Sequence, residues 1–133
     1  MTMSLIDIHT SRNKTGSISN IELDHDLPFT CKNIFYVYSI DKNVIHGNHA
    51  HKRCKEAIIV LNGKCKFVLD DCISENAYII GSPQKCLIVQ AGTWLTYEPL
   101  TDNCLLLVCA SETYADDEYI RDYIEFKQWK NRQ

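Results

Sequence analysis

Ile45-His46-Gly47-Asn48-His49-Ala50-His51-Lys52, followed by Glu56 and by Gly63 at the end of an apolar run, is the stretch on which the reading of this chain turns. It holds three imidazoles, and His49 and His51 are spaced i, i+2. In an extended segment alternate side chains leave the same face of a sheet, so this pair projects together with Cα atoms roughly 7 Å apart. Two histidines directed into a β cavity serve either as metal ligands or as proton carriers near neutral pH, because imidazole titrates there.

Outward from that stretch the chain alternates short β-rich runs with turn chemistry. Phe35-Tyr36-Val37-Tyr38-Ser39-Ile40 is aromatic and β-branched, and stops at Asp41-Lys42-Asn43. Ala57-Ile58-Ile59-Val60-Leu61 enters Asn62-Gly63, and Lys64-Cys65-Lys66-Phe67-Val68-Leu69 then alternates polar with apolar. An Asn-Gly pair between two such runs predicts a β-hairpin. Further runs at 77–80, 86–89, 95–97 and 104–110, separated by Gly81-Ser82-Pro83 and Ala91-Gly92, predict an all-β sandwich or barrel. From Asp116 the pattern fits two elements: Tyr119 to Tyr123 alternates as a last strand, whereas Tyr119, Tyr123 and Phe126 fall at helical spacing behind three acidic residues. The expectation is a strand there and a short helix after it.

The 133 residues suit one domain, 1–133, without repeat or linker. A net charge of −3 and the lack of a Lys/Arg run exclude a broad nucleic-acid interface. Met1 to Asp7 lacks a cationic start, a long apolar core and a cleavage site, and no run approaches a membrane span, so the chain reads as cytoplasmic with no membrane partner. Seven cysteines, an odd number with no CxxC pair, read as reduced small hydrophobes. Cys54, between Arg53 and Lys55, alone has a cationic flank.

The spacing His49-x-His51-x4-Glu56-x6-Gly63 resembles the first motif of the cupin superfamily, whose jelly roll presents ligands to the barrel interior. A second cupin motif contributes another histidine about thirty residues on; here Gln90-Ala91-Gly92-Thr93-Trp94-Leu95 keeps the glycine and puts Leu95 in the histidine's place. A leucine donates no ligand, so four ligands are not assembled, and the expectation is no metal and no other cofactor.

A narrower resemblance covers nearly the whole chain. Gly16-Ser17-Ile18, Leu27-Pro28-Phe29, Phe35-Tyr36-Val37-Tyr38, His49-Ala50-His51-Lys52, Leu69-Asp70-Asp71, Trp94, Ala110-Ser111 and Tyr119-Ile120-Arg121-Asp122-Tyr123 together resemble the dTDP-4-keto-6-deoxyhexose 3,4-ketoisomerases, the FdtA-like or WxcM-like sugar isomerases. The resemblance implies an all-β cupin jelly roll with a short C-terminal helix, a strand-swapped homodimer, and a metal-free histidine base. It also implies a dTDP-linked 4-keto-6-deoxyhexose as substrate and a 3-keto product destined for 3-amino-3,6-dideoxyhexoses of surface glycans. Two positions depart from the family: His46 stands where Arg is usual, and Glu56 where Gln is usual. An imidazole offers less than the guanidinium fork. Glu56 either restores a metal-cupin ligand or hydrogen-bonds an imidazole and raises its basicity.

Moving a keto group from C4 to C3 requires a base of near-neutral pKa within reach of carbon. The catalytic candidates are His51 at C3, His49 at oxygen or C4, and Tyr38 as enolate donor, Tyr36 sharing its strand face. Substrate-binding candidates are Tyr36, His46, Lys52, Glu56, Trp94, Tyr97 and Arg121, with Arg121 the better shaped for pyrophosphate and Trp94 or Tyr97 for stacking on a base or sugar. The competing reading of the aromatics is core or rim packing, and of Arg121 a salt bridge with Asp122. Two alternatives stand beside the isomerase: a metal-dependent cupin using His49, His51 and Glu56, and a sugar-nucleotide-binding cupin without turnover.

Overall fold

A computed structural model describes residues 4–133; the first three residues of the stretch screened for a leader lie outside it. The strands are β1 (Leu5–Asp7), β2 (His9–Arg12), β3 (Ser17–Asn20), β4 (Asn33–Val37), β5 (His46–His51), β6 (Glu56–Asn62), β7 (Cys65–Asp70), β8 (Glu75–Ile80), β9 (Lys85–Val89), β10 (Trp94–Pro99), β11 (Leu105–Ala110) and β12 (Tyr119–Ile120). A one-turn helix α1 (Leu23–Asp26) and a C-terminal helix α2 (Tyr123–Asn131) complete the fold. Two five-stranded antiparallel sheets, ordered β1-β9-β6-β11-β4 and β12-β5-β10-β7-β8, face each other, and β2-β3 forms a separate hairpin. This is the expected jelly roll.

Strand period divides the apolar residues between two sides. Ile58 and Val60, Leu87 and Val89, Leu106 and Val108, Phe67 and Leu95 point between the sheets and form the main core. The intervening Ala57, Ile59, Cys86, Ile88 and Cys109 point out of the first sheet, where Ile8 and Leu27 cover them. On the far side of the second sheet, Ala50, Trp94, Ile120 and Phe126 form a third cluster beneath α2. Ala50 is fully buried there, because a larger side chain between the two histidines would hold the helix off the sheet. Burying Phe126 contributes on the order of 2–3 kcal/mol.

The hairpin expected at Asn62-Gly63 does not form. β6 pairs with β9 and β11, whereas β7 pairs with β10 and β8, so the turn carries the chain from one sheet to the other. Both strands are flanked on two sides already, and burying their inner residues against each other across the sandwich outweighs local pairing. The C-terminal segment follows expectation, the short strand β12 and then the helix α2. Asp116–Glu118 forms a 3-10 turn, and α2 begins later, with Asp122 accepting from the Ile124 and Glu125 amides at 2.8 and 3.2 Å. Asp122 is therefore a helix cap, not the partner of Arg121. No helix among the described residues is long and apolar enough to cross a membrane.

Gly63 has φ +83°, and a Cβ there would stand 2.5 Å from Thr101 Oγ1 and 3.1 Å from the Cys104 Cα. Gly63→Ala is expected to cost about 1–2 kcal/mol from the left-handed backbone alone, more with the clash. Its thermal midpoint, followed by circular dichroism, should lie at least roughly 4 °C below wild type; an unchanged midpoint would mean the turn relaxes freely.

Candidate active site

His49 and His51 leave β5 toward the barrel interior as their spacing requires, opposite Leu95 of β10 and Tyr119 of β12. His46 joins them for a reason the spacing hides. A bulge lies between the pairs Leu95↔His49 and Thr96↔Gly47, leaving Asn48 as the extra residue, with φ +56°. The extra residue reverses the alternation, so His46 pairs with Tyr97 and faces inward. Its ring stacks on Tyr97 at 5.5 Å. Gly47 permits this kink: its φ is +85°, and a Cβ would meet the Leu95 carbonyl oxygen at 2.9 Å.

The two site imidazoles meet edge to face at 5.1 Å between ring centres. His51 is 6% exposed, and its Nε2 lies 3.5 Å from Oε2 of Glu56, which is 4% exposed. Neither ring nitrogen of His51 has a hydrogen-bond partner among the described residues. Burial, and then the neighbouring charge of His51, depress the pKa of His49 and favour its neutral form. Tyr119 packs on both rings, 4.4 Å from His51 and 5.2 Å from His49, and the Arg121 guanidinium lies 4.3 Å over the other residue of this stack, the Tyr119 ring. A cavity of about 220 Å³ opens beside this group, lined by Phe35, His51, Cys54, Glu56, Glu118 and Tyr119 among others.

Not every residue expected here arrives. Tyr36 and Tyr38 stack on each other at 5.8 Å on the outside of the protein, 63% and 64% exposed, and the inward residues of β4 are Asn33, Phe35 and Val37. Tyr38 is thus corrected as the enolate donor and Tyr36 as a substrate contact: the phase of the alternation is opposite to the one assumed. Trp94 is also corrected. It points away from the cavity, against Tyr123 at 5.3 Å and Phe126 at 5.6 Å, and anchors α2. Lys52 is exposed just past β5 and is not among the cavity's lining residues. His46, His49, His51, Glu56 and Tyr97 share the interior, with Arg121 beside them through Tyr119. Sequence reasoning missed Phe35, Tyr119 and Glu118 as cavity residues; a period-two signal for Phe35 was present but equally fitted Tyr36.

The thiol of Cys54 is held above its ordinary pKa by burial, which argues against a thiolate nucleophile. All seven cysteines are free, and burial pushes Cys65 and Cys86 up to about 12. Nδ or Nε of each histidine and a Glu56 oxygen lie within 4.8 Å of one another, a spacing compatible with three ligands to one cation. Against that use, a metal-bound histidine ordinarily donates its other N–H to a carboxylate or carbonyl, and His51 Nδ1 has no hydrogen-bond partner among the described residues.

Fold and site together define a cupin-type jelly-roll protein with paired imidazoles over a buried carboxylate. The family model described as FdtA, WxcM-like, C-terminal, matches residues 1–131, and the chain belongs to this family. It is 32% identical over 114 residues to the TDP-4-oxo-6-deoxy-alpha-D-glucose-3,4-oxoisomerase of Aneurinibacillus thermoaerophilus, covering 86% of this chain and 82% of that one. A crystal structure of a 3,4-ketoisomerase from Helicobacter canadensis superposes with a TM-score of 0.91 at 31% identity, over 96% of each chain. A mutant of the 3,4-ketoisomerase QdtA from Thermoanaerobacterium thermosaccharolyticum, in complex with TDP-4-keto-6-deoxyglucose, gives 0.92 at 30% identity, over 100% of this chain and 98% of that one.

The depressed His49 pKa has a consequence for stability. Below its ordinary value of 6.5 the unfolded chain takes up a proton that the folded chain resists, so this contribution is intact above pH 6.5 and declines as the pH falls. Urea midpoints measured from about pH 6.5 down to 5 should therefore fall less steeply for His49→Gln than for wild type. Equal slopes would show that the fold does not hold His49 neutral.

Proposed function

We propose that this chain is a sugar-nucleotide 3,4-ketoisomerase that converts dTDP-4-keto-6-deoxyglucose to a dTDP-3-keto-6-deoxyhexose without a cofactor. The observation that carries the reading is the pair of inward imidazoles, 5.1 Å apart, with Glu56 beside His51. The reaction needs two proton shifts, one from C3 to C4 and one from the C3 hydroxyl to the C4 oxygen, through an enediolate. His51 takes the C3 proton, and the Glu56 carboxylate receives the charge that forms on the ring. The protonated His51 then returns a proton at C4, and His49, neutral and next to it, accepts the C3 hydroxyl proton on one ring nitrogen and gives one to the C4 oxygen from the other. With Tyr36 and Tyr38 outside, the phenol beside the imidazoles is that of Tyr119, which serves as donor to the enolate oxygen.

His46 and Tyr97 form the sugar-facing wall, and Arg121 offers its fork to the pyrophosphate. The 3-keto product is a substrate for an aminotransferase, which fits a role in making amino sugars for surface glycans. Seven free cysteines suit a reducing compartment such as the cytoplasm.

The test is incubation of the purified protein with dTDP-4-keto-6-deoxyglucose in D2O, followed by proton NMR. Expected is a 3-keto sugar carrying deuterium at C4, formed about 10²–10⁴-fold more slowly by His51→Asn. A folded protein that binds dTDP but exchanges nothing at C3 would overturn the isomerase and support a binding protein. The clustered donors of His49, His51 and Glu56 favour the metal-dependent cupin as the second reading. Turnover unchanged after chelation supports the cofactor-free mechanism, and loss reversed by a divalent cation supports the second.

The active form is proposed to be a homodimer built on the outer face of the first sheet. Ile34, Tyr36 and Leu61 are exposed there, and the β2-β3 hairpin stands apart from both sheets with Ile18 exposed. Apolar area of this kind and an isolated two-stranded hairpin both call for a covering partner. β1 pairs with β9 of its own chain, and exchange of that strand with a second copy gives the swapped form. Sedimentation at micromolar concentration should give twice the chain mass, and Ile34→Asp with Leu61→Asp should give the monomer; a monomeric wild type would refute the dimer.

A further inference from the structure

We propose that Glu118 is a positioning residue that sets the spacing of His51 and Glu56 by holding the link between their strands. This rests on the ketoisomerase reading for its kinetic test alone. β5 and β6 belong to different sheets, and only residues 52–55 join the histidines to the glutamate. Such a crossover has no ladder to take its amides, yet each is bonded. The Lys52 N–H donates to the Glu118 carbonyl at 3.0 Å. The Arg53 and Cys54 amides both donate to Glu118 Oε1, the second at 2.6 Å. The Lys55 amide donates to Ser111 Oγ at 2.8 Å, and the Ser111 amide donates back to the Lys55 carbonyl at 2.9 Å.

One residue therefore takes three successive amides of the link, and it is itself 3% exposed. A carboxylate is buried at a cost unless its hydrogen bonds are met, so its place is dictated by those amides as much as theirs by it. Its second oxygen faces the Arg53 guanidinium at 3.3 Å, with the Arg53 side chain largely in solvent. The next residue along the chain is Tyr119, whose Cα partner is His51 and whose ring packs on both imidazoles. Glu118 thus fixes His51 from two sides, through the link that follows it and through the tyrosine laid against it. Glu118 makes no bond to either imidazole, and its reach to the reacting atoms is through these neighbours.

The kinetic test compares Glu118→Gln, Glu118→Ala and Glu118→Asp with wild type on the dTDP-4-keto sugar. Glutamine keeps an oxygen for the Arg53 and Cys54 amides, and its kcat is expected within about threefold of wild type. Alanine removes the acceptor and aspartate withdraws it by a methylene; both should lower kcat roughly 10–100-fold, as misplacement on the order of 1 Å does, with KM within about threefold. Aspartate carries the test should alanine not fold. A kcat for alanine or aspartate near wild type, or a glutamine variant as slow as either, would overturn the proposal. The spectroscopic test needs no turnover: in protein with 15N-labelled histidine, the His51 resonances should move in the alanine or aspartate variant and stay in place in the glutamine variant. Unmoved His51 resonances in aspartate and alanine would also overturn it. An inactive wild type with the expected spectra would sink the ketoisomerase reading and leave the positioning role standing.

Discussion

Two strands that never pair with each other bring His51 and Glu56 to 3.5 Å, and much of this protein can be understood as what that meeting requires. A carboxylate taken out of water is costly when it stands alone, and the imidazole facing Glu56 offsets part of that cost. The jelly roll supplies the enclosure. The link between the strands supplies the spacing, and two of its amides are taken by a second buried carboxylate from the far end of the chain.

The same economy of position runs through β5. Its outward residue Ala50 lies under α2, and its inward neighbours are the two histidines, so helix packing and chemistry are set by alternate residues of one strand. A single bulge then adds His46 to the inner face, beside Tyr97. At that position this chain places a ring that stacks on Tyr97. The free cysteines belong to packing, since burial holds Cys65 and Cys86 as thiols.

Much of the fold was legible because short alternating runs have one physical explanation, a half-buried strand. The runs at 57–61, 64–69, 86–89 and 104–110 form strands near those limits, and the short C-terminal helix follows the last strand. The Asn62-Gly63 turn was legible as a turn but not as a crossing between sheets, since a turn's residues fix its backbone and not the partners of the strands it joins. Tyr36 and Tyr38 show a related limit. Alternation says that two residues share a face, and when both faces of a sheet are covered by apolar groups it does not say which face is inside.

By itself, then, the sequence determined the class of fold and the central pair of histidines, which rest on local period and spacing, and the family, which rests on the resemblance of motifs along the whole chain. Only the tertiary structure decided that Trp94 anchors a helix, that His46 turns inward, that Tyr119 rather than Tyr38 meets the imidazoles, and that Glu118 lies buried against the link. Each of these depends on contacts between segments distant in the chain, or on one extra residue in a ladder. Such facts are fixed by the packing of the two sheets and leave no periodic mark on the residues that obey them.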